Sequence, residues 1–135
     1  MVITSSKTAL RRLLIESFPD IDIAIEGVPF DSNHEMYLAI QFVIRPPTDP
    51  TYGPYYYREE FSFQIFVSDK LGVGSADAEE QAEKIREVFY KGLSLTEDSY
   101  RLHVLRTAHI SGTVVTSDRL IVPLSIPVSI EVYKT

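Results

Sequence analysis

Leu120-Ile121-Val122-Pro123-Leu124-Ser125-Ile126-Pro127-Val128-Ser129-Ile130-Glu131-Val132 has the strongest periodicity in the chain. Leu120, Val122, Leu124, Ile126, Val128, Ile130 and Val132 fill every even position, while Arg119, Ser125, Ser129 and Glu131 occupy odd ones. Successive side chains of a strand point to opposite faces, so the pattern predicts one long β-strand with an apolar face and a wetter one. Pro123 and Pro127 share a parity, which puts both missing N–H donors on one edge. That edge is predicted to be unpaired, or the strand to bend there.

Upstream, Arg58 to Ser68 predicts a second strand, with Phe61, Phe63, Ile65 and Val67 on one parity. Tyr37 to Ile44 predicts another. Its run Leu38-Ala39-Ile40-Gln41-Phe42-Val43-Ile44 is apolar at both parities, the pattern of a central strand covered on both faces. Tyr100 to Ile110 reads as a strand with Leu102, Val104, Ala108 and Ile110 aligned, followed by a turn or hairpin end from Gly112 to Asp118. Ile21, Ile23 and Ile25 alternate with Asp20, Asp22 and Glu26, a short strand that Gly27 and Pro29 break.

Two segments switch to the helical period. From Ser5 or Ser6, candidate N-caps, to Phe18, the residues Leu10, Leu13, Leu14 and Phe18 share a face, and Pro19 ends the helix. After a turn from Asp69 to Gly74, Ser75 is the expected cap of a second helix with Ala78, Ala82, Ile85 and Phe89 as its buried stripe. Asp77, Glu79 and Glu80 lie near its start and Lys84, Arg86 and Lys91 towards its end, as the macrodipole favours, with Gly92 as the stop. The order αβββαββ predicts an α+β fold, one mostly antiparallel sheet with two helices packed against it, over a single domain spanning 1–135.

The composition fits that reading. The chain has 135 residues, 44% hydrophobic and 24% charged, enough to bury one core without disulfide or metal. Cys is absent, which removes thiolate chemistry and every Cys-based zinc pattern. No stretch approaches the ~18 apolar residues of a membrane helix, and the start lacks a secretory run, so synthesis in the cytoplasm and no membrane partner are expected. A net charge of −6 and pI near 5.0 argue against a reader of DNA phosphates.

Candidate chemistry is sparse. His34, His103 and His109 are the only histidines, and the last two, six residues apart in a strand, would be ~20 Å apart, too far to share a metal. Glu59 and Glu60 point to opposite faces of a strand, wrong for an acid–base pair. Gly72-Val73-Gly74-Ser75 precedes a helix, but the acidic Asp77, Glu79 and Glu80 repel an anion there, and the Walker lysine is missing. No catalytic residue, metal or cofactor is expected, and the chain reads as a non-enzyme.

Arg45 to Tyr57 differs in kind. It holds Pro46, Pro47, Pro50 and Pro54, half of the chain's eight prolines, and Tyr52, Tyr55, Tyr56 and Tyr57, half of its eight tyrosines. Such a long stiffened loop is either a surface that another protein covers or a set of rings folded back over this domain's own core.

The order of several short motifs resembles the tail terminator family of long-tailed bacteriophages. These are Glu26-Gly27-Val28-Pro29-Phe30-Asp31, a strand opening Tyr37-Leu38, Arg58-Glu59-Glu60-Phe61-Ser62-Phe63-Gln64-Ile65-Phe66-Val67, Gly72 to Gly74 and a helix ending Ile85-Arg86-Glu87-Val88-Phe89, then Val122-Pro123-Leu124-Ser125-Ile126-Pro127-Val128. The resemblance runs from Ala9 to Val132 and departs at Glu60, where relatives often carry Gly, and in the insertion from Pro46 to Tyr57. It implies a structural virion protein at the head-proximal end of the tail. Its partners would be other copies in a homo-hexameric ring, the tail tube protein and a head-side connector or stopper, with DNA passing through unbound. Expected contact residues are Pro46, Pro47, Tyr52, Tyr55, Tyr56, Tyr57 and Arg58 in the loop and its exit, with Pro123 and Pro127 on the last strand. A neighbouring neck component, such as a head-closure or joining protein, and an isolated small-ligand-binding domain remain as alternatives.

Overall fold

The even-position apolar run builds β8 (Arg119–Tyr133), whose residues Leu120 through Val132 at even numbers are all buried. The computed structural model of the chain describes residues 2–25, 36–72 and 74–133; the segment from Glu26 to Asp31, His34 and Val73 lie outside them. β8 pairs antiparallel along its whole length with β3 (Tyr56–Lys70), Tyr56 opposite Tyr133 and Lys70 opposite Arg119. Two 15-residue strands in continuous register form the spine of the sheet.

The other edge of β8 corrects the expectation of an open edge. It is covered, but in three pieces: β5 (Tyr100–Val104) faces Val128 to Ile130, β6 (His109–Ile110) faces Leu124 and Ser125, and β7 (Val114–Val115) faces Leu120 and Ile121. The interruptions fall at Pro123 and Pro127. The Leu105 N–H donates to the Pro127 carbonyl at 3.0 Å and the Ser111 N–H to the Pro123 carbonyl at 2.9 Å, so both prolines turn their backbone polar groups to this edge. With no N–H to give, each would leave a partner carbonyl unpaired, and a continuous neighbouring strand is disfavoured there. The same effect splits the strand predicted from Tyr100 to Ile110 at Leu105 to Ala108, and the turn predicted after Gly112 contains β7.

The sheet order is β1-β2-β3-β8-β5-β4, antiparallel except where β1 (Asp22–Ala24) runs parallel to β2 (Tyr37–Ile44). With α1 (Val2–Ser17) and α2 (Ala76–Val88) it makes the expected α+β fold. Both helices press their stripes into one core with the even residues of β8: Leu10 and Leu14 from α1, and Ala78, Ala82 and Ile85 from α2 with Phe89 beyond it. Among the described residues, the opposite face of the sheet carries no helix. β2 is therefore not covered on both sides as its composition suggested: Leu38, Ile40 and Phe42 are buried, whereas Gln41, Val43 and Ile44 are exposed.

The helix ends also depart from the sequence reading. α1 begins at Val2, so Ser5 and Ser6 are buried helix residues; the Ser6 hydroxyl donates to the Val2 carbonyl and the Ser5 hydroxyl to Asp98 at 2.7 Å. Ser75 is the N-cap of α2 through its backbone carbonyl, which accepts from Glu79 N–H, with no side-chain capping bond. α2 ends at Val88, and Gly92, at φ 90°, is a left-handed turn residue four positions later.

β4 (Ser94–Glu97) is a strand the sequence did not disclose, joined to β5 across Asp98 and Ser99, at φ 50° and 70°. Two consecutive positive φ values are the geometry of the tightest hairpins, ordinarily supplied by Asn-Gly or Asp-Gly. Ser99→Gly removes the steric cost of the left-handed backbone, and a gain of about 0.5–1 kcal/mol in unfolding free energy is expected. Thermal melting checks it: an unchanged or lower midpoint would show that Ser99 is not strained.

Candidate functional site

The ladder between β2 and β3 continues past the end of β2. Arg45 N–H donates to the Glu60 carbonyl at 3.0 Å, and Thr48 and Arg58 exchange two bonds at 2.8 Å. Pro46 and Pro47 sit between these bonds, and only residues 49–55 form the tip, where Gly53 supplies a φ of 94°. The loop predicted from Arg45 to Tyr57 is thus the end of a long hairpin arm, with Tyr56, Tyr57 and Arg58 already in β3. Every residue from Val43 to Tyr55 is exposed.

The four tyrosines divide between the two readings. Tyr52 and Tyr55 stand in solvent, at 105% and 70% exposure, so neither ring folds back onto the core. Tyr57 packs against the core. Tyr56 lies on the other face of β3, its ring 4.8 Å from that of Tyr133. The Tyr56 hydroxyl donates to Glu131 at 3.2 Å and accepts from the Arg58 guanidinium at 3.3 Å, while the Tyr133 hydroxyl donates to Glu131 at 3.4 Å.

This cluster locks the base of the arm to the end of β8. The Arg58 guanidinium is held above its ordinary pKa, chiefly by its bond to Tyr56, with Glu131 adding to the effect. Desolvation raises the Tyr133 phenol first, and the Glu131 carboxylate second. Neither Glu131, read only as an odd-position strand residue, nor Tyr133 was among the expected contact residues. The signal was the register, which sets Tyr56 against Tyr133 and Arg58 against Glu131.

Pro123 and Pro127 are half-buried on the helix-free face of the sheet, and Pro127 lines a hollow there together with Arg45 at the root of the arm. Ser62, Gln64, Phe66 and Ser68 of β3 and Ile121 and Ser125 of β8 share that face, since they alternate with the core residues. Near one end, buried Arg119 donates to the Ser68 hydroxyl at 2.9 Å and the Ser68 carbonyl at 3.0 Å, and lies 4.8 Å from the centre of the Tyr37 ring. On the helix side, Arg12 pairs with Glu97 at 2.6 Å and ties α1 to the β4–β5 hairpin. Among the described residues no three His, Asp or Glu side chains gather as a metal site, and no helix is long and apolar enough to cross a membrane.

The described residues thus form an α+β sheet whose most exposed feature is a tyrosine-tipped arm. The chain belongs to the phage tail terminator family: the family model described as phage tail terminator protein matches residues 6–128. It is a structural tail protein of the phage virion. One solved structure, 19% identical, superposes with a TM-score of 0.79 over 100% of this chain and 99% of its own. A second, from the virion of a native gene transfer agent (GTA) particle, is 16% identical with a TM-score of 0.68, covering 96% of this chain and 97% of its own. At these identities the likeness establishes the fold. No curated protein matches the sequence.

Proposed function

We propose that this chain caps the head-proximal end of the tail tube as a homo-hexameric ring, stops addition of tube protein, and presents the surface that docks a head-side connector or stopper. The observation that carries this reading is the β2–β3 arm in a member of this family. A two-stranded extension ending in exposed Tyr52 and Tyr55 offers large aromatic contact area, and tyrosine side chains lose little conformational entropy when another protein covers them. Pro46 and Pro47 stiffen its flank, and Tyr56, Tyr57 and Arg58 anchor its base. Pro123 and Pro127 enter only through the helix-free sheet face, not through an open edge.

The net charge of −6 suits a ring through which DNA passes without sticking, because an acidic surface does not collect phosphates. Growth of purified tube protein, followed by light scattering, tests the capping role. Addition of this chain at a small fraction of the tube-protein concentration is expected to halt elongation, because only ends need be occupied. Elongation that continues unchanged at equimolar protein would refute capping.

A further inference from the structure

The helix-free face of the sheet holds a cleft of ≈ 300 Å³ in which Arg45, Arg106 and His109 meet the hydroxyl-bearing residues Ser62, Thr107 and Ser125. Three distant segments build it. Arg45 opens the arm opposite Glu60, Arg106 and Thr107 lie in the break between β5 and β6 that Pro127 imposes, and His109 sits in β6 directly across from Ser125. Among the described residues neither arginine has an ion-pair partner, Glu60 included. Two guanidinium groups, an imidazole and three hydroxyls around one hollow are the donor set that recognises a carboxylate or phosphate oxygen.

The chain offers the complement elsewhere on its own surface. Glu80, Glu83 and Glu87, spaced three and four apart, share the solvent side of α2 with a single cation, Lys84, and are flanked by exposed Asp77 and Glu79. Only Glu80 has a cationic partner among the described residues, Lys84 at 3.9 Å. α2 packs on the core face of β3 and β8 through Ala78, Ala82 and Ile85, with Phe89 just beyond its end set edge-on to Phe63, and the cleft opens on the opposite face, between Ser62 and Ser125. One molecule therefore cannot bring the two together, and a two-fold dimer cannot place both in one interface. A head-to-tail contact can, and repetition of such a contact with a closing rotation gives a ring.

We infer that the Arg45–Arg106–His109 cleft receives the acidic outer side of α2 from a second copy of this chain, and that this charge-complementary contact joins neighbouring subunits. The inference rests on the ring reading and supplies its subunit contact. Net charge opposes both occupants but unequally: a second copy carries a formal −6, whereas duplex DNA carries one negative charge per ~1.7 Å of its length, so the long-range field disfavours DNA far more than another copy.

Charge reversal and its repair provide the test, on the full chain with tail tubes of the same phage. Arg45→Glu/Arg106→Glu and, separately, Glu80→Lys/Glu83→Lys/Glu87→Lys are expected to raise the concentration needed for ring assembly by about tenfold or more, while circular dichroism and melting show a folded protein. The chain carrying both sets, and an equimolar mixture of the two single-set variants, are expected to recover assembly; the mixture does so only in rings of even subunit number.

Loss of assembly in both variants without recovery on combination would overturn the contact, as would rings that form normally in either. If the wild-type protein retains DNA and Arg45→Glu/Arg106→Glu abolishes that retention while leaving rings intact, the cleft is a phosphate site and the inference fails. Failure of the ring reading itself looks different: the wild-type protein then forms no ring, alone or on tubes.

Discussion

Phe63→Ala should lower the unfolding free energy by about 3–5 kcal/mol, the cost of deleting a fully buried aromatic ring. Phe63 is fully buried, its ring 4.9 Å from Phe42 in a stacked pair and 5.6 Å from Phe89 edge-on. It thus joins β2, β3 and the end of α2 in one contact. A domain of this kind is stable by only about 5–15 kcal/mol, so the loss approaches the whole margin. Phe66→Ala provides the internal comparison: it has the same chemistry on the same strand, but lies half-buried on the helix-free face. Urea denaturation of the two variants should show a much larger loss at Phe63. Equal losses would mean that the two faces of β3 are not distinguished as described.

The second large effect concerns binding. Tyr52→Ala/Tyr55→Ala should leave the unfolding free energy within about 0.5 kcal/mol, because neither ring touches the core. If each exposed tyrosine becomes a buried anchor worth about 2 kcal/mol at the tube, the pair costs roughly a thousandfold in affinity for tube ends. Co-sedimentation of the variant with preformed tubes measures it. Wild-type retention on tubes would remove the arm from the capping surface, and a lost melting transition would show that the rings serve the fold instead.

The sequence disclosed those elements in which side-chain periodicity and burial agree. β8, β3 and the stripe of α2 are of this kind, because each has one face in the core and one outside it. β2 misled because Val43 and Ile44 are apolar yet belong to the arm, where no core covers them. β4 was missed because four residues with one partly buried Leu95 carry no period, and its turn uses Asp98 and Ser99 in place of glycine. The two prolines were read correctly as facing one edge. What the sequence could not show is that the edge would be covered by fragments broken to match them.

Candidate contact residues were legible to a lesser degree. A run of prolines and tyrosines is visible without a structure, but the division into two exposed and two anchored rings depends on strand alternation at the base of the arm. The cleft was hidden altogether. Arg45, Arg106 and His109 look like isolated surface residues along the chain and meet only because β2, β3, β8 and β6 fall into register. His109 was set aside as a metal ligand on spacing alone, and that spacing says nothing of its cross-strand neighbours.

Electron microscopy of the purified chain, alone and mixed with tail tubes from the same phage, tests the proposed role most directly. Six-membered rings seated on one end of each tube, with the opposite end bare, are the predicted outcome. Protein that binds no tube at micromolar concentration, or that decorates head connectors alone, would contradict capping and assign this subunit to another position in the neck.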